Sequence, residues 1–134
     1  MTWMWTRVRR EDGAAAIEFA LILTVLILIL AGMLEFGREY SKYQILQGAS
    51  REGARLAAVR ATNEEVVARV YDAAEPFSPT TTPAVSTESG ASECSILTTG
   101  ESVTVGWAQE FHLDIAFWGD VTFNRPIEGL FRCE

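Results

Sequence analysis

The sequence is poor in the residues from which catalytic and metal sites are usually built. It has two cysteines, Cys94 and Cys133, and a single histidine, His112. Zinc needs four ligands, so two distant cysteines and one histidine do not predict a zinc site. Glu110, His112 and Asp114 occupy alternate positions, so a strand would place them on one face, where a weak metal site is the alternative to a solvated face. Since there is also no nucleophile motif beside the histidine and no phosphate-binding glycine loop, we predict no enzymatic activity, cofactor or metal.

Basic side chains are scarce as well. The chain has 11 Lys and Arg against 18 Asp and Glu, which gives a formal net charge of −7. Affinity for nucleic acid comes mainly from basic side chains that neutralise phosphates, and no basic stripe with interleaved aromatic residues is visible. We therefore predict no nucleic-acid partner. The 134 residues suffice for one small domain.

No proline occurs before Pro76, and residues 14–34 form a nearly continuous apolar run. About 20 such residues cross a bilayer as a helix, and this run is apolar on all faces, unlike a surface helix. A cleaved secretory signal is the alternative, but the far end lacks a clear small-x-small cleavage site. Arg7, Arg9 and Arg10 precede the run, so we predict a single-pass protein of a bacterial cell membrane with a cytoplasmic N-terminus and an extracytoplasmic C-terminal region.

One carboxylate, Glu18, lies inside this apolar run. An ionised side chain in hydrocarbon is costly and calls for a partner. If the chain were cut after Gly13, Ala14 would carry an α-ammonium one helical turn before Glu18, or close to Glu18 of a neighbouring chain. Glu18 would then also lie at the favourable end of the helix dipole. The alternative is that Glu18 only extends towards the lipid headgroups.

The segment from Arg9 to Phe19 resembles a type IV prepilin processing site. Those sites have a charged leader, a glycine before the cut and a glutamate five residues after it. The resemblance implies cleavage by a prepilin peptidase after Gly13, with Ala14 as the mature N-terminus. It also implies roles in assembly for Glu18 and Phe19.

Three further segments, Ala16–Leu21, Leu34–Arg38 and Ala49–Val59, resemble the TadE-like family over roughly residues 9–60. Its members are minor pilins or pseudopilins of the tight-adherence (Flp) pilus system. The resemblance implies a minor pilin or pseudopilin in assembly, initiation or capping of such a pilus and in cell adhesion. The implied partners are other pilin subunits, the assembly machine and membrane lipid. The alternatives are the major pilus subunit, and a single-pass surface protein or anchor subunit unrelated to pili.

The helical pattern continues beyond the membrane run. Apolar or small residues recur every three or four positions, which predicts one helix over residues 14–60, roughly 70 Å long, projecting as a pilin-like spine. Ala49, Gly53 and Ala57 form a small-residue row that another backbone could approach. Five charged residues are predicted to contact neighbouring subunits or, alternatively, to form a solvated face beside the chain's own C-terminal region. These residues are Glu35, Arg38, Arg51, Glu52 and Arg55.

The remainder predicts an α+β fold, with a short second helix and a small antiparallel sheet at the C-terminus packed on the long helix. Asn63 is the expected N-cap of a helix that extends to about Ala74. A Ser/Thr/Pro loop follows at residues 76–93. The expected strands are Cys94–Thr98 paired with Ser102–Trp107, and then Asp120–Asn124.

The predicted organisation has five parts: a leader at 1–13, a transmembrane helix at 14–34, an extracytoplasmic helical region at 35–75, the loop at 76–93 and a β-rich region at 94–134. If the last region lies outside the cytoplasm, Cys94 and Cys133 are expected to form a disulfide. It would close a loop of about 40 residues and stabilise the fold by about 3–4 kcal/mol. Two buried free thiols are the alternative.

Overall fold

The structure, a computed structural model, describes residues 10–95, 98–115 and 119–134. Its dominant element is helix α1, Arg10–Ala58, with 49 residues. At 1.5 Å per residue the helix is about 74 Å long. The predicted continuous helix is confirmed, although it starts before Ala14. Residues 1–9, which belong to the predicted leader, lie outside the described residues.

The first half of α1 is bare. Every side chain from Gly13 to Leu34 is exposed, and within the described residues α1 is the one helix long and apolar enough to cross a membrane. The hydroxyl of Thr24 donates to the carbonyl of Ala20 at 2.8 Å, so this polar group is satisfied within the helix. An apolar helix that no protein covers fits a single membrane span.

The second half of α1 carries a small head, which begins with helix α2, Asn63–Ala73. The N-cap is Thr62, so the prediction of Asn63 was wrong by one residue. The Thr62 hydroxyl accepts the backbone N–H of Glu65, and the Glu65 carboxylate accepts the backbone N–H of Thr62 at 3.0 Å, which completes a capping box. Val66 and Val70 bury the inner side of α2 against α1.

The sheet has three antiparallel strands in the order β1-β2-β3: β1 Ala84–Thr87, β2 Ser102–Ile115 and β3 Gly119–Arg132. The antiparallel sheet is confirmed, but its first strand differs from the prediction. Ser102–Trp107 pairs with Ala84–Thr87 inside the expected loop, whereas Cys94 and Ser95 are not in a strand. Residues 96 and 97 of the expected strand lie outside the described residues.

The strand β3 is also longer than predicted, because it continues through Pro126 instead of stopping at Asn124. Pro126 lies opposite Ala108, and among the residues that the structure describes β3 has a neighbour on one side only. Proline lacks the N–H that a central strand needs, but it is tolerated at the edge of a sheet.

The core lies between the second half of α1, α2 and one face of the sheet. Its largest fully buried apolar side chains are those of Leu46, Val66, Val70, Val103, Val105 and Ile127. Gln109 is buried too, and its amide accepts the indole N–H of Trp107 at 2.9 Å and donates to the Thr80 hydroxyl at 2.6 Å. This polar group is therefore satisfied, as buried polar groups must be.

The C-terminal segment is fastened to the upper end of α1. Cys133 is bonded to Cys94, which confirms the predicted disulfide with a sequence separation of 39. The backbone N–H of Glu134 donates to the carbonyl of Ala58 at 3.0 Å. Arg60, which takes the left-handed conformation (φ 66°) just after α1, donates to the Glu134 carbonyl at 2.7 Å. The head is thus closed at the end of α1 far from the apolar segment.

Candidate subunit-contact surfaces on the long helix

The predicted processing and assembly residues all lie on the bare part of α1. Gly13, Ala14, Glu18 and Phe19 are exposed. Glu18 forms no ion pair with any residue that the structure describes, although apolar side chains surround it along the helix. In the uncut chain the nitrogen of Ala14 is a helical amide, so an α-ammonium beside Glu18 requires cleavage.

Just beyond the apolar segment, Glu35 and Arg38 form an ion pair along the helix, with 3.4 Å between Oε2 and Nη1. The Arg38 side chain is 74% exposed. An exposed pair at this spacing contributes little to stability, on the order of 0.3–0.5 kcal/mol. Both side chains are therefore free to exchange partners with another chain at low cost.

Glu52 is held within its own chain. Its Oε1 lies 2.8 Å from Nη2 of Arg55 on α1 and 3.1 Å from Nη2 of Arg69 on α2. Arg69 also pairs with Asp72 at 2.9 Å. Hydrogen bonds from Arg55 and then Arg69 lower the pKa of Glu52 to about 2. Glu52 therefore links α1 to α2 and is the member of the predicted contact set that the head itself uses.

The small-residue row of Ala49, Gly53 and Ala57 is also covered by the head of the same chain. Ala49 and Ala57 are buried, and a Cβ at Gly53 would overlap a methyl group of Val70. On the sheet side, a Cβ at Gly129 would overlap the backbone of Ser50, so β3 lies directly against the helix. The close approach that these residues permit is therefore made by α2 and the sheet of the same chain.

The head leaves a single line of α1 uncovered. Between residues 41 and 58, the exposed positions recur at alternating steps of three and four and form one stripe along the helix. This open stripe consists of Ser41, Gln44, Gly48, Arg51 and Arg55. Arg51 forms no ion pair with a described residue, so it is the cation of the stripe that remains available to another molecule.

Sequence reasoning found Arg51 and Arg55 but missed the other members of the open stripe. Ser41, Gln44 and Gly48 carry no strong chemical signal of their own. The five stripe residues have a spacing of three, four, three and four, which the sequence shows. However, only the positions of α2 and the sheet reveal which line of the helix stays uncovered.

The histidine region forms a polar face of β2. Nε2 of His112 lies 3.8 Å from Oε1 of Glu110, and both side chains are exposed. Asp114 is exposed as well and lies opposite Asp120 of β3. No group of three or more potential ligands is found among the described residues. The arrangement is that of a solvated strand face.

The fold and these surfaces define a class of protein: a single-pass α+β protein in which one helix serves as both membrane segment and backbone of the head. Residues 13–55 of the chain match the family model of TadE-like proteins. The match covers the apolar segment and the whole open stripe, and it confirms the TadE-like resemblance. It indicates a protein associated with the Tad pilus. No curated protein and no solved structure matches the chain.

Proposed function

We propose that the chain is a minor pilin or pseudopilin that acts in assembly, initiation or capping of a tight-adherence pilus, after a prepilin peptidase cuts it between Gly13 and Ala14. The observation that carries the proposal is Glu18, an exposed carboxylate on a bare apolar helix without an ionic partner in the described residues. The role is structural rather than catalytic.

The physical argument concerns the compensation of this carboxylate. A carboxylate costs about 2.5–3.5 kcal/mol at the centre of a membrane helix on insertion scales, and less near the end of the span, where Glu18 lies. Cleavage after Gly13 would create an ammonium on Ala14, four residues away, or on the neighbouring subunit. An ion pair between subunits would make Glu18 favourable in an assembled fibre and unfavourable in an isolated chain. That difference would drive helix-to-helix packing.

The bare half of α1 supplies the surface for this packing, and the open stripe would continue it above the membrane. Arg38, Arg51 and Arg55 are exposed along α1, and Glu35 beside Arg38 is half-buried. We assign to them contacts with neighbouring pilin subunits and the assembly machine. Glu52 contributes indirectly, because it fixes α2 beside the stripe.

Orientation follows from charge and from the cysteine bond. The arginines before the apolar run favour a cytoplasmic N-terminus. A disulfide persists outside the reducing cytoplasm, so the Cys94–Cys133 bond supports an extracytoplasmic head. The peptidase would meet Gly13 at the cytoplasmic face, and the head would lie where a pilus forms.

The test separates processing from assembly. Gly13→Leu should leave the leader attached, which N-terminal sequencing of protein from membranes detects. Glu18→Ala should be cut normally but should fail to enter the fibre or to support its formation. Thr24→Val is the matched control, because it also removes a polar group from the span, but one already bonded within the helix.

Two outcomes would contradict the proposal. Wild-type protein that retains Met1 in cells with an active peptidase would remove the ammonium on which the argument depends. Normal fibres with Glu18→Leu would show that the carboxylate has no role in assembly. An uncut chain that functions without the pilus machine would instead favour the alternative, a single-pass surface protein or anchor subunit unrelated to pili.

A further inference from the structure

The hairpin of β2 and β3 runs back along α1 towards the apolar segment. Near the top of the head, a methyl group of Val105 would lie 3.4 Å from a Cβ placed at Gly53. Lower down, the Lys42 ammonium donates to the carbonyl of Glu110 at 3.4 Å. These two contacts fix the direction and the height of β2 beside the helix.

The heights of the strand and the helix can be compared from these contacts. From Gly53 to Lys42 the helix descends about 16 Å, and from Val105 to Glu110 the strand descends about 16 Å as well. The strand therefore runs nearly parallel to the helix axis. Leu113, three residues further, lies about 10 Å lower, at the level of helix residues 35–36. The apolar run ends at Leu34, so the hairpin reaches the outer edge of the proposed membrane span.

At this level the helix and the hairpin expose a set of apolar and aromatic side chains, which we name the interfacial patch. Leu113 is half-buried, and the other members are exposed. Phe36 is the most exposed of them, at 63%. The interfacial patch consists of Phe36, Tyr40, Leu113, Val121 and Phe123.

The aromatic members of the patch continue into the head as a row of ring contacts. Phe36 stacks on Tyr40 with 6.1 Å between centroids, and Tyr40 on Tyr43 with 6.5 Å. Tyr43 meets Phe111 at 6.2 Å, and Phe111 stacks on Phe123 at 5.7 Å. The exposed rings are thus connected through the half-buried Tyr43 to the buried Phe111.

Charged groups border the groove between the helix and the hairpin. Arg125 and Glu39 help to line this groove, whose volume is about 270 Å³. Oε2 of Glu39 lies 3.7 Å from Nζ of Lys42, too far for a hydrogen bond. Cations and aromatic rings near the end of a membrane span are typical of the interface between lipid headgroups and hydrocarbon.

The outer face of the hairpin limits how deep the contact can be. His112 and Asp114 point to the side opposite Leu113, and Asp120 lies across from Asp114. All three are exposed. Carboxylates are too costly to enter hydrocarbon. The end of the hairpin can therefore lie among the headgroups, with its inner face towards α1, but it cannot insert into the hydrocarbon.

We propose that the interfacial patch lies in the outer headgroup layer of the bilayer that α1 spans, so that phospholipid covers it and the head is held against the membrane. This inference depends on the membrane span of α1, which is part of the proposed function, but not on entry into a pilus. It adds a second membrane contact, made by the head, to the one made by the helix.

The chain offers a matched pair of phenylalanines for the test. Phe123 and Phe131 lie on the same face of β3, and they are 37% and 40% exposed. Phe131 lies about 26 Å farther from the membrane end of the strand. Each is replaced in turn by the photoreactive analogue p-benzoylphenylalanine in the full chain, reconstituted into liposomes of phosphatidylethanolamine and phosphatidylglycerol. Adducts are identified by mass spectrometry after illumination.

We expect lipid adducts at position 123 to exceed those at position 131 by about tenfold, because the bilayer is out of reach of the latter. Comparable lipid labelling at both positions, or adducts at position 123 with protein alone, would overturn the proposal. The second result would identify the patch as a contact between chains. A Val121 replacement serves as a second site, and formation of the Cys94–Cys133 bond verifies that each variant has folded.

A further position, Ile22, separates this inference from the membrane span itself. The same analogue at Ile22, in the middle of the apolar run, should label lipid strongly. Labelling at Ile22 without labelling at Phe123 or Val121 would overturn the headgroup contact and leave the span intact. No lipid labelling at any of the three would overturn both, while the cleavage and assembly of the chain would still be decided by the Gly13 and Glu18 variants.

Discussion

Replacing Gly53 by alanine tests whether the head is docked on α1 as closely as the structure indicates. Gly53 is buried in the middle of the docked half of the helix. An added Cβ would overlap a methyl group of Val70, with Val105 at 3.4 Å and Val66 at 3.7 Å. Gly48 provides the matched control, because it lies in the same helix with nothing within 4 Å of a Cβ.

The magnitude follows from two opposing terms. Glycine to alanine in a helix interior favours folding by about 1 kcal/mol, and this term is the same at both sites. At Gly53 the overlap opposes it, since Val70 is a β-branched residue in a helix and has little rotamer freedom. Overpacking of this kind costs about 1–3 kcal/mol. Gly48→Ala should therefore stabilise the head, and Gly53→Ala should be about 2 kcal/mol less stable than Gly48→Ala.

The measurement is urea unfolding of the full chain in detergent micelles, followed by near-ultraviolet circular dichroism, which reports on the packed aromatic rings. Hydrogen exchange at the amides of Val103 and Val105 gives an independent measure of the free energy of unfolding of the head. If the two alanine variants had stabilities within about 0.5 kcal/mol of each other, the close contact between α1 and α2 would be refuted.

Three further changes test the fastenings of the head by the same unfolding assay. Arg69→Ala should lower the free energy of unfolding by about 0.5–1 kcal/mol near neutral pH. Because the pKa of Glu52 is lowered in the folded chain, the ion pair stabilises the fold above the ordinary pKa of Glu52, and the difference from wild type should shrink as the pH falls from 4.5 to about 2. A pH-independent difference would contradict the ion pair between Glu52 and Arg69. Thr62→Ala removes the N-cap of α2 and should cost about 1 kcal/mol, whereas Thr62→Ser should retain most of it. Cys94→Ser with Cys133→Ser should cost about 3–4 kcal/mol because the closed loop is long, and a loss below about 1 kcal/mol would show that the other contacts of the tail suffice.

The long helix could be predicted from the sequence because its signals are local. The absence of proline before Pro76 and the apolar run at 14–34 act within neighbouring residues, and no distant partner is needed to form the helix. The N-cap was misplaced although Thr62 and Glu65 have the spacing of a capping box. Asn63 also favours an N-cap, and the sequence alone did not decide between adjacent candidates.

The sheet was less predictable because its pairing is not local. β1 lies within a Ser/Thr/Pro tract, and only Val85 and Thr87 face inward, so its pattern is too short to distinguish it from a loop. The sequence predicted that a strand begins at Cys94. In the structure Cys94 is not in a strand, and it is bonded to Cys133 of the C-terminal segment. The limits of β3 were missed because Pro126 normally ends a strand, and its tolerance depends on an edge position that only the strand order reveals.

The residues of the candidate site also differ in whether the sequence could predict their roles. Glu18 could be identified from sequence because a carboxylate in an apolar run is conspicuous wherever the chain folds. The sequence could not distinguish the role of Glu52 from that of Arg51, since both are charged residues on one helix. The difference arises from Arg69, which belongs to α2 and reaches Glu52 across the helix pair.

The single open stripe on α1 has a consequence for symmetry. If two copies met stripe to stripe, each would present the same surface to the other, and the contact would close at two copies. A growing filament would require the stripe to meet a different surface of the next copy, so that a free end always remains. Contacts made through the open stripe alone are therefore restricted to pairing, to terminating a polymer, or to head-to-tail growth through one specific second surface.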